Sequence, residues 1–156
     1  MFSRLQIFLI LLIIFSNKSL SQQTLPYKLG ENFSYNISFA GIKVGDASLK
    51  IDSIKNINDK NCYHIIGAGK TTPFFDFFFK VRDTYETFLD TSSILPVKFK
   101  RDISEGGFKK KQLYDFNHTD SFVYSEDTLY KIHNFSQDML SALFFARTFN
   151  GNDLKI

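Results

Sequence analysis

The residues with most potential for chemistry fall in two charged runs, Lys80-Val81-Arg82-Asp83-Thr84-Tyr85-Glu86 and Lys100-Arg101-Asp102-Ile103-Ser104-Glu105. In an alternating strand Arg101 shares a face with Phe99 and Ile103, so its guanidinium points toward an apolar interior. Asp83 shares the face of Tyr85. An inward arginine needs a carboxylate to replace the hydration it loses, and Asp83, Glu86 or Glu105 can serve. The arrangement reads in two ways: a polar site in an apolar cavity, recognising a head group or moving protons, or a structural ion-pair network. The candidate ligand contacts are Arg82, Asp83, Glu86, Arg101, Glu105, Asp138 and Arg147. Arg82, Arg101 and Arg147 are the candidate anchors, with Asp83, Glu105 and Asp138 as their partners. No residue is assigned a catalytic role.

Other motifs carry less chemistry. Gly67-Ala68-Gly69-Lys70-Thr71-Thr72 resembles the end of a phosphate-binding loop, but His64 stands where that loop needs its first glycine. Pro73 and a phenylalanine run follow where a helix should receive the phosphates. No nucleotide is expected. His64, His118 and His133 are scattered without ligand spacing, so no metal and no cofactor is expected. The serines lack nucleophile-elbow glycines. Lys98, Lys100, Lys109, Lys110 and Lys111 form a basic cluster that suits anionic lipid head groups or a solvated sheet face that discourages edge pairing. Cys62 is the one cysteine and reads as a buried, inert thiol.

The elements that must position these residues are mostly strands. Phe33, Tyr35, Ile37 and Phe39 alternate with polar residues, which predicts a half-buried strand. Ala40-Gly41 is a turn, and Ala47, Leu49 and Ile51 line one face of the next strand, with a bulge expected at Gly45. Asn56 to Lys60 is a polar turn, and a third strand covers Cys62 to Ala68. Phe74 to Phe79 forms a helical turn or an apolar plug. Strands then cover Arg82 to Asp90, the segment from Leu95, and a hairpin partner after Glu105-Gly106-Gly107. Short strands follow at Phe122–Tyr124 and Leu129–Ile132. Ser136 is the expected cap of a helix running to Phe149, with Leu140, Leu143, Phe144 and Phe149 as its apolar stripe. Asn150-Gly151 ends it, and the segment 153–156 begins another strand. The expected fold is mostly β: a strongly curved antiparallel meander, open or incompletely barrel-like, with one C-terminal helix packed on it.

Residues 1–21 are set apart as a signal peptide. Arg4 precedes the apolar run Leu5 to Phe15, which is shorter than the ~20 residues of a membrane span. Ser19 and Ser21 place small residues before a cut, leaving 22–156 as a single exported domain. The chain of 156 residues has a net charge of +3. Arg4 and Lys18 leave with the signal, so the exported part is nearly neutral. That excludes a nucleic-acid binder that neutralises many phosphates. One cysteine excludes a disulfide scaffold. The chain has 19 Phe and no Trp, and this surplus of rings points to a cavity as well as a core.

The run from Gly30 (Gly-Glu-x-x-x-Tyr-x-Ile-Ser-Phe-x-Gly-Ile-Lys-Val-Gly-x-Ala) resembles the opening of the bacterial domain-of-unknown-function family numbered 3108. The similarity continues through Phe79 to Glu86, Leu95-Pro96, Arg101 to Phe108, Gln137 to Ala142 and Ala146-Arg147. The resemblance implies an exported, mostly β protein of the bacterial envelope and brings no catalytic residue with it. It also implies further strands after the helix, so the domain is expected to be incomplete at its C-terminus. The expected function is periplasmic, non-catalytic binding of a lipid-like or other apolar ligand between sheet and helix. The alternative is a structural or interaction module whose partners are envelope proteins. A third reading is an envelope hydrolase using Asp83, Glu86 or Glu105.

Overall fold

The computed structural model describes residues 25–149. The expected signal segment, the helix-ending Asn150-Gly151 and the expected strand at 153–156 lie outside the described residues.

Among the described residues, eight strands form one sheet in the order β1-β2-β3-β4-β5-β6-β7-β8, each antiparallel to its sequence neighbours. They are β1 Asn32–Phe39, β2 Ile42–Ile57, β3 Lys60–Thr71, β4 Arg82–Asp90, β5 Pro96–Glu105, β6 Phe108–Asn117, β7 Phe122–Ser125 and β8 Thr128–Lys131. The helix α1 Pro73–Asp76 interrupts the meander between β3 and β4, and α2 Met139–Ala146 follows β8. The expected open meander with a C-terminal helix is the observed fold.

Local sequence explains the turns. Asn58 and Asp59 both adopt positive φ, 50° and 61°, as do Gly106 and Gly107 at 54° and 100°. Tight hairpins need such pairs because their twist then matches that of the strands. A register shift opposite Ile37 and Ser38 leaves Val44 unpaired, next to the glycine where a bulge was expected. A Cβ on Gly45 would lie 2.7 Å from the Lys70 carbonyl oxygen, so the residue that reopens the register must be bare.

Register also defines two sides of the sheet, since directly opposed residues share a side. On the helix side run the rows Leu49–Gly67–Tyr85–Arg101 and Ile51–Ile65–Thr87–Phe99–Tyr114. Ile51, Ile65, Leu89 and Phe99 pack there against Leu140 and Phe144 of α2 and against Tyr27 from the N-terminal segment. Tyr27 meets Tyr63 and Phe144 edge-on, with ring centroids 5.8 and 5.1 Å apart. Each fully buried side chain of this size contributes roughly 1.5–3 kcal/mol. On the open side a smaller cluster joins Cys62, Phe88 and Val97.

Four expectations are corrected by packing. β1 is not half-buried: all eight of its residues are exposed, although the Arg147 guanidinium at the end of α2 reaches over the Phe33 ring. Phe74 to Phe79 is no plug, since Phe74, Phe77, Phe78 and Phe79 all face outward. Ser136 does not cap α2. Its hydroxyl binds His133, while Asp138 accepts from the Leu140 and Ser141 amides and Ser141 Oγ accepts from the Asp138 amide. The apolar stripe is narrower than expected: Leu140 and Phe144 are 4% and 1% exposed, but Leu143 and Phe149 face out.

Candidate functional site

Asp83 and Tyr85 in β4 meet Arg101, Ile103 and Glu105 in β5 on the helix side. Tyr85 is paired with Arg101, and Val81 bridges to Glu105, which sets Asp83 between them. Asp83 is only 8% exposed and accepts from the Ser104 amide at 3.0 Å. The neighbouring Asp83 carboxyl pushes the Glu105 carboxyl above the usual range. Burial, then the Asp83 charge, raises the Tyr85 phenol. Arg101 Nε is buried with no hydrogen-bond partner among the described residues. Tyr85 stacks on Phe99, with centroids 6.4 Å apart, and Phe99 touches Tyr114. The cluster therefore offers two carboxyls, a phenol and a guanidinium at the border of an aromatic surface.

Beside this cluster the cover given by α2 ends between Gly67 and Gly69. Leu140 fills the space over Gly67, but nothing stands within 4 Å of the Cβ position of Gly69. Ala47 and Gly69 are opposed in register, with Tyr35 beyond Ala47 and Asp83 beyond Gly69. The result is a trough with a small-residue floor. Exposed Phe33, Tyr35 and Ile37 form one wall, and Asp83, Tyr85 and Ile103 form the other.

Asp83, Arg101 and Glu105 thus share one face, but among the described residues the expected ion pair to Arg101 is not formed; the remaining candidates lie elsewhere. Arg82 follows the opposite side of β4 and holds Asp76 at 2.5 Å. Arg82, then Thr71, draw the Asp76 carboxyl down to about 2. Glu86 is on the open side, where its Oε2 lies 2.6 Å from His64 Nε2, and the His64 ring stacks on Phe88. Asp138 is the buried cap of α2 and also accepts from the Thr87 hydroxyl. Burial pushes its carboxyl up against the pull of those hydrogen bonds. Arg147 binds Glu31 at 2.9 Å and the Pro26 carbonyl oxygen at 2.7 Å. Its guanidinium also sits over the rings of Tyr27, Phe33 and Phe144. These contacts give Arg82, Asp138 and Arg147 structural work.

The open side carries a cavity of about 950 Å³ lined by Ser34, Asn36, Ser48, Thr84, Ser104 and charged neighbours that include Lys70 and Lys109, and Tyr35, Ala47, Gly69, Asp83 and Ile103 line it as well. The sequence signal for it was the polar half of each alternation. Of the basic cluster, Lys98 pairs with Asp115, Lys111 pairs with Asp102, and Lys100 sits over Phe88. Gly67 to Thr71 are strand residues of β3, not a phosphate loop. The trough floor was missed, although Ala47 and the alternating Gly67 and Gly69 were its signal.

No curated protein and no solved structure matches the chain. Residues 34–155 match the family model described as "Protein of unknown function (DUF3108)", and the chain belongs to that family.

Proposed function

We propose that this protein is an exported envelope protein that binds an apolar ligand with a polar head group and does so without catalysis. The observation that carries this reading is the uncovered trough over Ala47 and Gly69. It joins exposed Phe33, Tyr35 and Ile37 to the buried cluster of Asp83, Arg101 and Glu105. Small-molecule sites combine such an apolar wall with a few convergent polar groups. The interval between sheet and α2 is filled by Ile51, Ile65, Leu89, Phe99, Leu140 and Phe144, so the ligand belongs beside the helix and not beneath it. Export rests on Arg4 and the apolar run Leu5 to Phe15.

Native mass spectrometry of protein recovered from its own periplasm, with uptake of a fluorescent fatty acid, tests the reading. A bound lipid-sized mass is expected, with uptake that Gly69→Phe abolishes by filling the trough. A ligand-free spectrum together with no uptake overturns it. A second reading, an interaction module, is favoured by the fully exposed edge strand β1 with its four large apolar residues. It predicts a copurifying envelope protein that Gly69→Phe does not displace.

A further inference from the structure

The two ends of the sheet differ in chemistry. At one end lie the β1–β2 turn, the α1 connection and the β5–β6 turn. Gly45 is paired with Thr71, and the Gly106 amide binds the Lys80 carbonyl oxygen at 2.9 Å, which holds the three segments side by side. The first segment exposes Phe39 and Ile42 and the third exposes Phe108. Between them the α1 connection exposes Phe74, Phe77, Phe78 and Phe79, with Phe77 88% exposed. The opposite end carries Asn58-Asp59, Ser92-Ser93 and Asn117 to Asp120, which are ordinary polar turn residues. The fold therefore makes turns without aromatics where it has no other use for them.

Charge is also one-sided at the aromatic end. Lys80, Lys109 and Lys110 are exposed directly behind Phe79 and Phe108 and make no ion pair among the described residues. Of the nearby acids, Asp76 is held by Arg82, Asp46 is held by Lys43 and Asp83 is buried. Rings that project beyond a collar of lysines match the apolar interior and the anionic head groups of a bilayer leaflet.

We infer that the Phe39, Phe74–Phe79 and Phe108 end is a membrane-docking tip that inserts its phenylalanines into an anionic lipid surface. This inference goes beyond the trough reading and uses different residues, so the Gly69→Phe result does not decide it.

The chain contains no tryptophan, so Phe77→Trp supplies a single reporter at the tip. Thr119→Trp supplies a matched reporter at the polar end. Emission of each is followed on addition of phosphatidylcholine vesicles with and without phosphatidylglycerol. The expected result is a blue shift for Phe77→Trp that is largest with phosphatidylglycerol and weakened by salt, with none for Thr119→Trp. Phe77→Ser with Phe78→Ser, checked for an unchanged far-ultraviolet spectrum, should reduce vesicle cosedimentation at least about ten-fold. Phe77→Ser alone, at the most exposed ring, should reduce it in the same direction. No blue shift, equal shifts for both reporters, or cosedimentation unchanged in the serine variants overturns the inference. So does a self-associated chain that the serine variants render monomeric without vesicles, since the tip would then be a contact between copies.

Discussion

Leu140 stands directly over Gly67, and a Cβ on that glycine would lie 3.0 Å from Leu140 Cδ2. Two positions along β3, the corresponding space over Gly69 is open. One strand therefore carries one glycine that seats the helix and one that floors a trough.

The pair yields a contrast. Gly67→Ala is expected to destabilise by about 1–3 kcal/mol, because buried Leu140 must shift within a packed core. Gly69→Ala should be neutral or stabilising by roughly 0.5–1 kcal/mol, since it restricts the unfolded chain and meets nothing in the fold. Urea unfolding of both variants checks the difference.

Asp138 holds α2 through its cap and Thr87. Asp138→Ala should cost about 2 kcal/mol or more, combining a lost cap with a buried threonine hydroxyl left without its acceptor. Asp138→Asn keeps an acceptor for the helix amides and should cost far less. Burial raises the native carboxyl, so the folded state binds its proton more tightly than the unfolded state. Its contribution is therefore greatest below the ordinary aspartate range and falls as pH rises through the raised value. Asp138→Asn should gain on the wild type along that same rise, read from midpoints at several pH values.

Arg147 ties the end of α2 to the N-terminal segment. Arg147→Ala should cost about 1–2 kcal/mol through the lost ion pair and ring contacts. The hydrogen bond from Arg147 lowers the Glu31 carboxyl. That stabilisation is present above the ordinary glutamate range and is lost as pH falls through the lowered value. The variant should lose this acid-side slope, whereas the Asp138 variants should keep it. Thermal midpoints across the acid range distinguish the two.

The Cys62 thiol is fully buried, and burial, then the Asp90 charge, pushes its pKa up to about 11. In the native protein it should resist a thiol reagent at mildly alkaline pH and react rapidly once guanidinium unfolds the chain. Rapid labelling of the native protein would contradict the packing around Val97 and Phe88.

The strands were legible because alternation and turn chemistry are local. Asn58-Asp59 and Gly106-Gly107 specify their hairpins without help from the rest of the chain. Which side of the sheet is covered was not legible. Phe33, Tyr35 and Ile37 have the pattern of a half-buried strand, but α2 sits over Gly67, and at its end Arg147 reaches Phe33 while Tyr35 and Ile37 stay exposed. The helix cap moved from Ser136 to Asp138 because Ser141 could return the bond, a pairing visible only as the spacing Asp-x-x-Ser. In the site, Arg101 and Asp83 were placed together by parity. The same parity separates Arg82 from Asp83, because adjacent strand residues face opposite sides. Asp138 and Arg147 lie too far along the chain for periodicity to bring them to β4 or keep them from it.

Among the described residues, each strand pairs with its sequence neighbours and with no other strand. Such wiring lets each hairpin close soon after its second arm is made, with small loops and little searching. Assembly can therefore travel along the chain like a zip, and α2, made after β8, locks the middle. Hydrogen exchange should mirror that history, with slow amides in β3 and β4 under the helix and progressively faster ones outward to β1 and β8.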